Sequence, residues 1–233
     1  MAARRVGPLE ELAGELRSAH HVRVESISID ISDADARRTL PGRLSDLGLT
    51  LDVLVNNAGF GTAGPISRSD EEREVAMVRT NVEAVASLCS LFVPGMVDRR
   101  RGAILNVAST AAFQPLPGQT GYAATKAFVL SYSEAMRTEL AGSGVTVTTL
   151  CPGPVETEFT RVAGIADSEA RALPRFMWVS ATDVAEAAVE GLARGRGIVI
   201  PGVANRLAAT AASHTPRRLL MPMIARTSPI ARR

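Results

Sequence analysis

Lysine is almost absent. Lys126 is the only one in 233 residues, and the other 25 basic residues are all arginine. Cysteine occurs twice, at Cys89 and Cys151, in no metal or redox spacing. The three histidines (His20, His21 and His214) form no ligand cluster, so no metal site is expected. A net charge of +2 is too small to imply a nucleic-acid surface by itself. The opening MAARRVGPLEEL lacks the apolar core of a signal peptide, and no run of about 20 apolar residues is present to cross a membrane. The expected location is therefore the cytoplasm. Hydrophobic residues make up 46% of the chain, enough for a full core and against disorder.

The sole lysine stands four residues after one of only two tyrosines, Tyr122. On a helix the two share a face. An isolated Tyr-x-x-x-Lys matches by accident often. Here, however, arginine has replaced lysine everywhere else and cannot stand in for a compact ammonium. A cation beside a phenol favours the phenolate and brings a pKa near 10 toward neutrality. Ser109 ends the apolar run 103–108 and could hold a carbonyl or alkoxide oxygen opposite. The trio suits proton transfer on or off a substrate oxygen while a hydride moves elsewhere.

Strand and helix patterns alternate along the chain. Pro8 opens a helix, 21–31 alternates as a strand, and Ser32 and Asp33 can cap a helix over 34–47. A short apolar strand at 51–55 runs into Asn56-Asn57-Ala58-Gly59. A helical stretch over 69–100 is expected to break or kink at Pro94-Gly95. A strand at 103–108, a helix over 123–140, a strand at 145–150, a helix over 181–194 and a strand at 197–200 follow. Short apolar strands between helices predict an α/β fold, a doubly wound and mostly parallel sheet with helices on both faces. One domain is expected, with 156–180 as an irregular apolar segment and 205–233 as a tail. Arginines stud that tail, as on a basic helix at a membrane surface. Pro216, Pro222 and Pro229 favour instead a tail packed on the domain or on a neighbouring subunit.

Asp30 after a strand, NNAG at 56–59, Asn81 in Arg-Thr-Asn, Ser109, Tyr122-x-x-x-Lys126 and Pro152-Gly153 with Thr157 together resemble the short-chain dehydrogenase/reductase family, over Met1 to about Gly202. The resemblance implies an oxidoreductase acting on a ketone or secondary alcohol, with Asn81, Ser109, Tyr122 and Lys126 as the catalytic set. Tyr122 would be the acid/base, Lys126 would lower its pKa and bind ribose, and Asn81 would hold a water chain to Lys126. Asp30 and Ile31 would meet the adenine. Asn57, Ala58 and Gly59 would touch the ribose beside the nicotinamide, as would Tyr122 and Lys126. Pro152, Gly153, Val155 and Thr157 would flank the nicotinamide, and 156–180 would be a lid over a substrate with hydrophobic bulk. The family also pairs subunits through helices like those near residues 80–96 and 123–140, which allows a homo-oligomer.

The family pattern begins with a strand, a glycine-rich phosphate turn and a helix. Gly59 to Gly64 fits G-x-G-x-x-G, but Pro65 follows it and no acid ends the next strand, so the match is accidental. The chain is therefore expected to lack the first βα unit, with Ala2-Ala3 as a remnant of the second strand. A longer working protein is the favoured account, and a truncated, non-catalytic remnant with impaired cofactor binding is the alternative. Arg4 and Arg5 follow that remnant, where arginine suits the 2′-phosphate of NADP rather than the bare ribose of NAD.

Overall fold

A computed structural model describes residues 1–166 and 173–227. The chain divides into two compact units, Met1–Thr50 and Leu51–Arg233.

The first unit opens with β1 (Ala2–Ala3) and α1 (Val6–His20), followed by β2 (Ile27–Ser28) and α2 (Ala34–Asp46). This corrects the expectation of a missing first βα unit and truncated start. Ala2-Ala3 is a strand in its own right, parallel to β2 in the register Ala2↔Ile27 and Ala3↔Ser28. Ile27 and Ile29 donate their N–H groups to the Met1 and Ala3 carbonyls at 2.8 and 3.0 Å. Extended backbone needs only these partners to form a ladder, so two alanines suffice where side-chain pattern gives no signal. The same fact trims β2: the run 21–31 pairs only as far as β1 reaches. Asp33 caps α2 as predicted, accepting from the Asp35 and Ala36 N–H groups.

The second unit holds four parallel strands in the order β3 (Val53–Asn56), β4 (Gly102–Val107), β5 (Val145–Leu150) and β6 (Ile198–Val199). Ile104, Leu105 and Asn106 are consecutive and all buried, so both faces of β4 are covered, as the apolar run required. Leu105, Leu150 and Val199 pack against Ala188 of α7 (Ala181–Ala193). On the other face lie α4 (Ala84–Asp98) and α5 (Thr120–Glu139). There Asn56 donates to Asn106 at 2.8 Å, and Asn106 donates to Ser133 of α5 at 2.9 Å.

Helix α3 (Glu71–Val78) continues through a π turn at Arg79–Glu83 into α4. The predicted break at Pro94 does not occur. Pro94 and Ser90 are both exposed, so the carbonyl that proline leaves without a partner faces water. This 28-residue run, Glu71–Asp98, is long and apolar enough to cross a bilayer, but Met77, Ala84, Leu88 and Met96 are buried in the protein core. The segment after β5 contains α6 (Phe159–Ala163) and a 3₁₀ turn at Arg175–Met177. Its base is tied where Val179 donates to the Pro154 carbonyl at 3.0 Å and Val155 bridges Val179. Part of the expected lid, 167–172, lies outside the described residues. The tail forms two helices, α8 (Val203–His214) and α9 (Arg217–Thr227), despite its prolines. Pro216 precedes α9 and its carbonyl accepts from Leu219 and Leu220, while Pro222 sits on the exposed side. Pro229, Arg232 and Arg233 lie outside the described residues.

Candidate active site

Tyr122, Thr125, Lys126, Val129 and Ser133 form one buried face of α5. The three- and four-residue spacing therefore does what the sequence implied, and it turns the phenol and the ammonium inward together. Ser109 leaves the end of β4, the edge of a parallel sheet where such folds build sites. Its extended backbone lets the hydroxyl accept from the Ala111 N–H at 3.1 Å and donate to the Pro152 carbonyl at 3.4 Å. The Thr110 N–H also donates to Pro152, at 2.9 Å, and so fixes the loop after β5 against the loop after β4. The Ser109 hydroxyl is close enough to the Tyr122 phenol to act on its proton affinity.

Asn81 lies within the π turn, a distortion that can re-aim a side chain inside a helix. It is 1% exposed and clamps Phe60, accepting from its N–H at 3.1 Å and donating to its carbonyl at 2.8 Å. It also donates to the Thr125 hydroxyl at 3.1 Å. Gly59 separates Asn81 from Lys126: a Cβ there would stand 2.8 Å from Asn81 Oδ1 and 3.6 Å from Lys126 Nζ. The glycine of NNAG thus admits both side chains to one point.

The electrostatics differ from the expectation that Lys126 lowers the Tyr122 pKa. Lys126 Nζ sits 5.8 Å over the Tyr122 ring and donates to the Val107 carbonyl at 2.8 Å. Burial pushes the phenol up to about 12, opposed by the nearby Ser109 hydroxyl. Burial also pushes Lys126 down to about 8. In a low-dielectric site both groups favour their neutral forms, and desolvation outweighs their mutual field. The protein alone therefore keeps Tyr122 protonated at neutral pH.

Phe159 of α6 lies 5.3 Å from the Tyr122 ring at a 52° tilt. Phe60 and Leu116 join it around Met77, Ala111 and Tyr122. Of the other apolar residues expected in the lid, Leu173 and Phe176 are exposed. A cavity of about 320 Å³ opens beside Gly121, bounded by Thr62, Arg73, Glu74, Gly118 and Ala163. Thr120 and Gly121, just before Tyr122, line it, but Tyr122 itself does not.

The remaining predicted positions fall in two groups. In the first unit, Arg4 and Asp30 form an exposed pair at 3.9 Å. The Asp30 carboxyl is held below its usual range, first by the Ser32 hydroxyl, against partial burial, and also by Arg4. Arg5 is exposed, and the Ile31 carbonyl accepts from buried Arg37 at 2.6 Å. In the second unit, Asn57, Ala58 and Gly59 follow β3 and are exposed. Pro152, Gly153 and Val155 are half-buried after β5, and the Thr157 hydroxyl accepts from the Phe159 N–H at 3.2 Å.

Sequence reasoning missed three contributors. Asn205 on α8 packs against Gly153. Glu74 accepts from Thr62 and crowds Gly121. Asn106 anchors the sheet to α5. Only Asn106 left a signal, as a lone amide inside the apolar run Ala103 to Ala108.

A parallel α/β sheet whose strand ends carry a serine, and whose next helix carries a buried tyrosine and lysine, defines a Rossmann-like protein with a Ser–Tyr–Lys centre. Residues 1–166 match the short chain dehydrogenase family, and the chain belongs to it. A serine 3-dehydrogenase from Rhizobium radiobacter is 37% identical over 169 residues, which cover 72% of this chain and 66% of that enzyme. The chain thus spans just under two thirds of that relative's length. The solved short-chain dehydrogenase from Sphingobium yanoikuyae, in complex with NADPH, is 30% identical with a TM-score of 0.79, over 95% of this chain and 84% of that one. The bulky-bulky ketone specific alcohol dehydrogenase from Comamonas testosteroni is 26% identical with a TM-score of 0.74, over 97% and 80%.

Proposed function

We propose that this protein is an oxidoreductase that moves a hydride between NADP(H) and a ketone or secondary alcohol, with Tyr122 as the acid/base. The observation that carries this reading is the buried pair Tyr122 and Lys126, one helical turn apart on the same face of α5, with Ser109 at the end of β4 acting on the phenol. The Sphingobium enzyme solved with NADPH supports the choice of cofactor, as do the arginines at 4 and 5. The donor set fits the group. Lys126 spends one of its three N–H donors on the Val107 carbonyl, which leaves others for ribose hydroxyls. When bound, the cofactor supplies the hydride.

Ser109 and Tyr122 bind the substrate oxygen, and Tyr122, held protonated by burial, donates its proton as the oxygen becomes an alkoxide. This charge state favours reduction. The ring of Phe159, with Phe60 and Leu116, excludes water and gives apolar contact to bulk on the carbonyl carbon. The test is oxidation of NADPH, followed by absorbance, with a panel of ketones that carry apolar substituents. Turnover with NADPH well above that with NADH is expected. Purified, folded protein with no turnover on any ketone or alcohol in the panel would overturn the reading.

A further inference from the structure

We propose that the two C-terminal helices form a docking surface for an anionic lipid membrane. The net charge of +2 conceals a strong asymmetry. Residues 1–190 hold all 24 acidic residues and 18 of the 26 basic ones, a net of −6. Residues 191–233 hold eight arginines and no Asp or Glu, a net of +8.

The structure gives this basic segment an amphipathic form. Helix α8 turns Asn205 and Ala209 inward, and α9 turns Leu220 and Ile224 inward, each pair four apart. A second apolar pair on each helix is left in solvent. Val203 and Leu207 are 68% and 67% exposed, and Leu219 and Met223 are 63% and 57% exposed. Arg206, Arg217 and Arg218 are exposed among them and make no ion pair among the described residues. By contrast, Arg194 and Arg196 both engage Glu190, the last acid in the chain.

Exposed leucines beside free guanidinium groups suit a helix lying in a headgroup layer, where apolar side chains enter the acyl boundary and arginines meet phosphate. Helices of 12 and 11 residues are too short to span a bilayer. A second copy of this face is a poor partner, because two surfaces of the same positive sign repel. Nucleic acid would use the arginines but leave the four apolar side chains in water.

The experiment is co-sedimentation of the full chain with vesicles of phosphatidylcholine and phosphatidylglycerol in equal parts, and with pure phosphatidylcholine. Binding to the anionic vesicles alone is expected, weakening as salt screens the charges. Arg217→Gln with Arg218→Gln should weaken it on the order of tenfold. Leu219→Glu with Met223→Glu should abolish it. All four positions are exposed, so circular dichroism and thermal unfolding should stay parental. Equal binding to both vesicle types, no binding, or parental binding by the variants would overturn the proposal. So would lipid-free dimerisation that the Leu219/Met223 variant removes, or duplex DNA retention in place of vesicle binding.

Discussion

Gly153 and Asn205 occupy one another's space. A Cβ on Gly153 would lie 2.4 Å from Asn205 Oδ1, while the Asn205 amide donates to the Met177 and Pro201 carbonyls at 2.9 and 3.1 Å. One side chain therefore joins the loop after β5, the 3₁₀ turn at Arg175–Met177 and the start of α8. Gly153→Ala should destabilise the fold by about 1–3 kcal/mol and weaken NADPH binding, since neither backbone nor a doubly bonded amide yields easily. In an Asn205→Ala background the same substitution should cost measurably less. Additive losses in a double-mutant cycle, read by thermal unfolding and NADPH titration, would rule out the coupling.

Tyr122→Phe removes one buried oxygen and nothing of the ring that packs on Phe159. Ketone reduction should fall by about a thousandfold or more, as expected when a proton donor is lost. Circular dichroism should be unchanged. Appreciable residual turnover in a steady-state assay would show that another group delivers the proton.

Lys126 makes the site at a cost in stability. Its folded pKa of about 8 lies below the ordinary lysine value of 10.5, so at pH 7 both states carry the proton and the burial penalty is fully expressed, about 3 kcal/mol. Between pH 8 and 10.5 the folded form sheds its proton first, the unfolded chain binds more, and stability rises with pH. Lys126→Met should be inactive, yet at pH 7 melt no lower than the parent even with the Val107 carbonyl deprived of a partner. Its advantage should shrink as pH approaches 10. A lower melting temperature for the variant at pH 7 would contradict this.

The same group sets an activity limit. If its positive charge helps hold the ribose and stabilise the developing oxyanion, kcat/KM for reduction should decline as pH rises through about 8. Tyr122, pushed up to about 12, stays protonated across that range and cannot produce the same limb. A flat profile from pH 7 to about 9.5 would remove Lys126 from this role.

Asn106 is fully buried, accepts from Asn56 and donates to Ser133. Asn106→Leu keeps the branched shape but deprives the Asn56 amide of its acceptor and Ser133 of a donor, while Ser133 still donates to the Val129 carbonyl. Denaturant unfolding should show a loss of about 2–5 kcal/mol. A loss under about 1 kcal/mol would mean that those groups find other partners.

The chain's composition and spacing fixed the helix register that brings Tyr122 and Lys126 to one face, because a four-residue interval is a local property of helical backbone. Apolar runs likewise placed β3, β4 and β5, since strands buried on both faces cannot hide their composition. Local pattern said nothing of Ala2-Ala3, whose strand exists only because Ile27 and Ile29 lie within hydrogen-bonding reach. It could not show that Asn205, 52 positions beyond Gly153, fits the gap that a missing side chain leaves. Nor could it give the sign of the pKa shifts. Proximity of a cation argued for a lowered tyrosine, whereas the depth at which tertiary packing buries both groups raises it. Charge sign and residue spacing belong to the sequence, but desolvation belongs to the folded interior, where it outweighs the lysine's pull on the phenol.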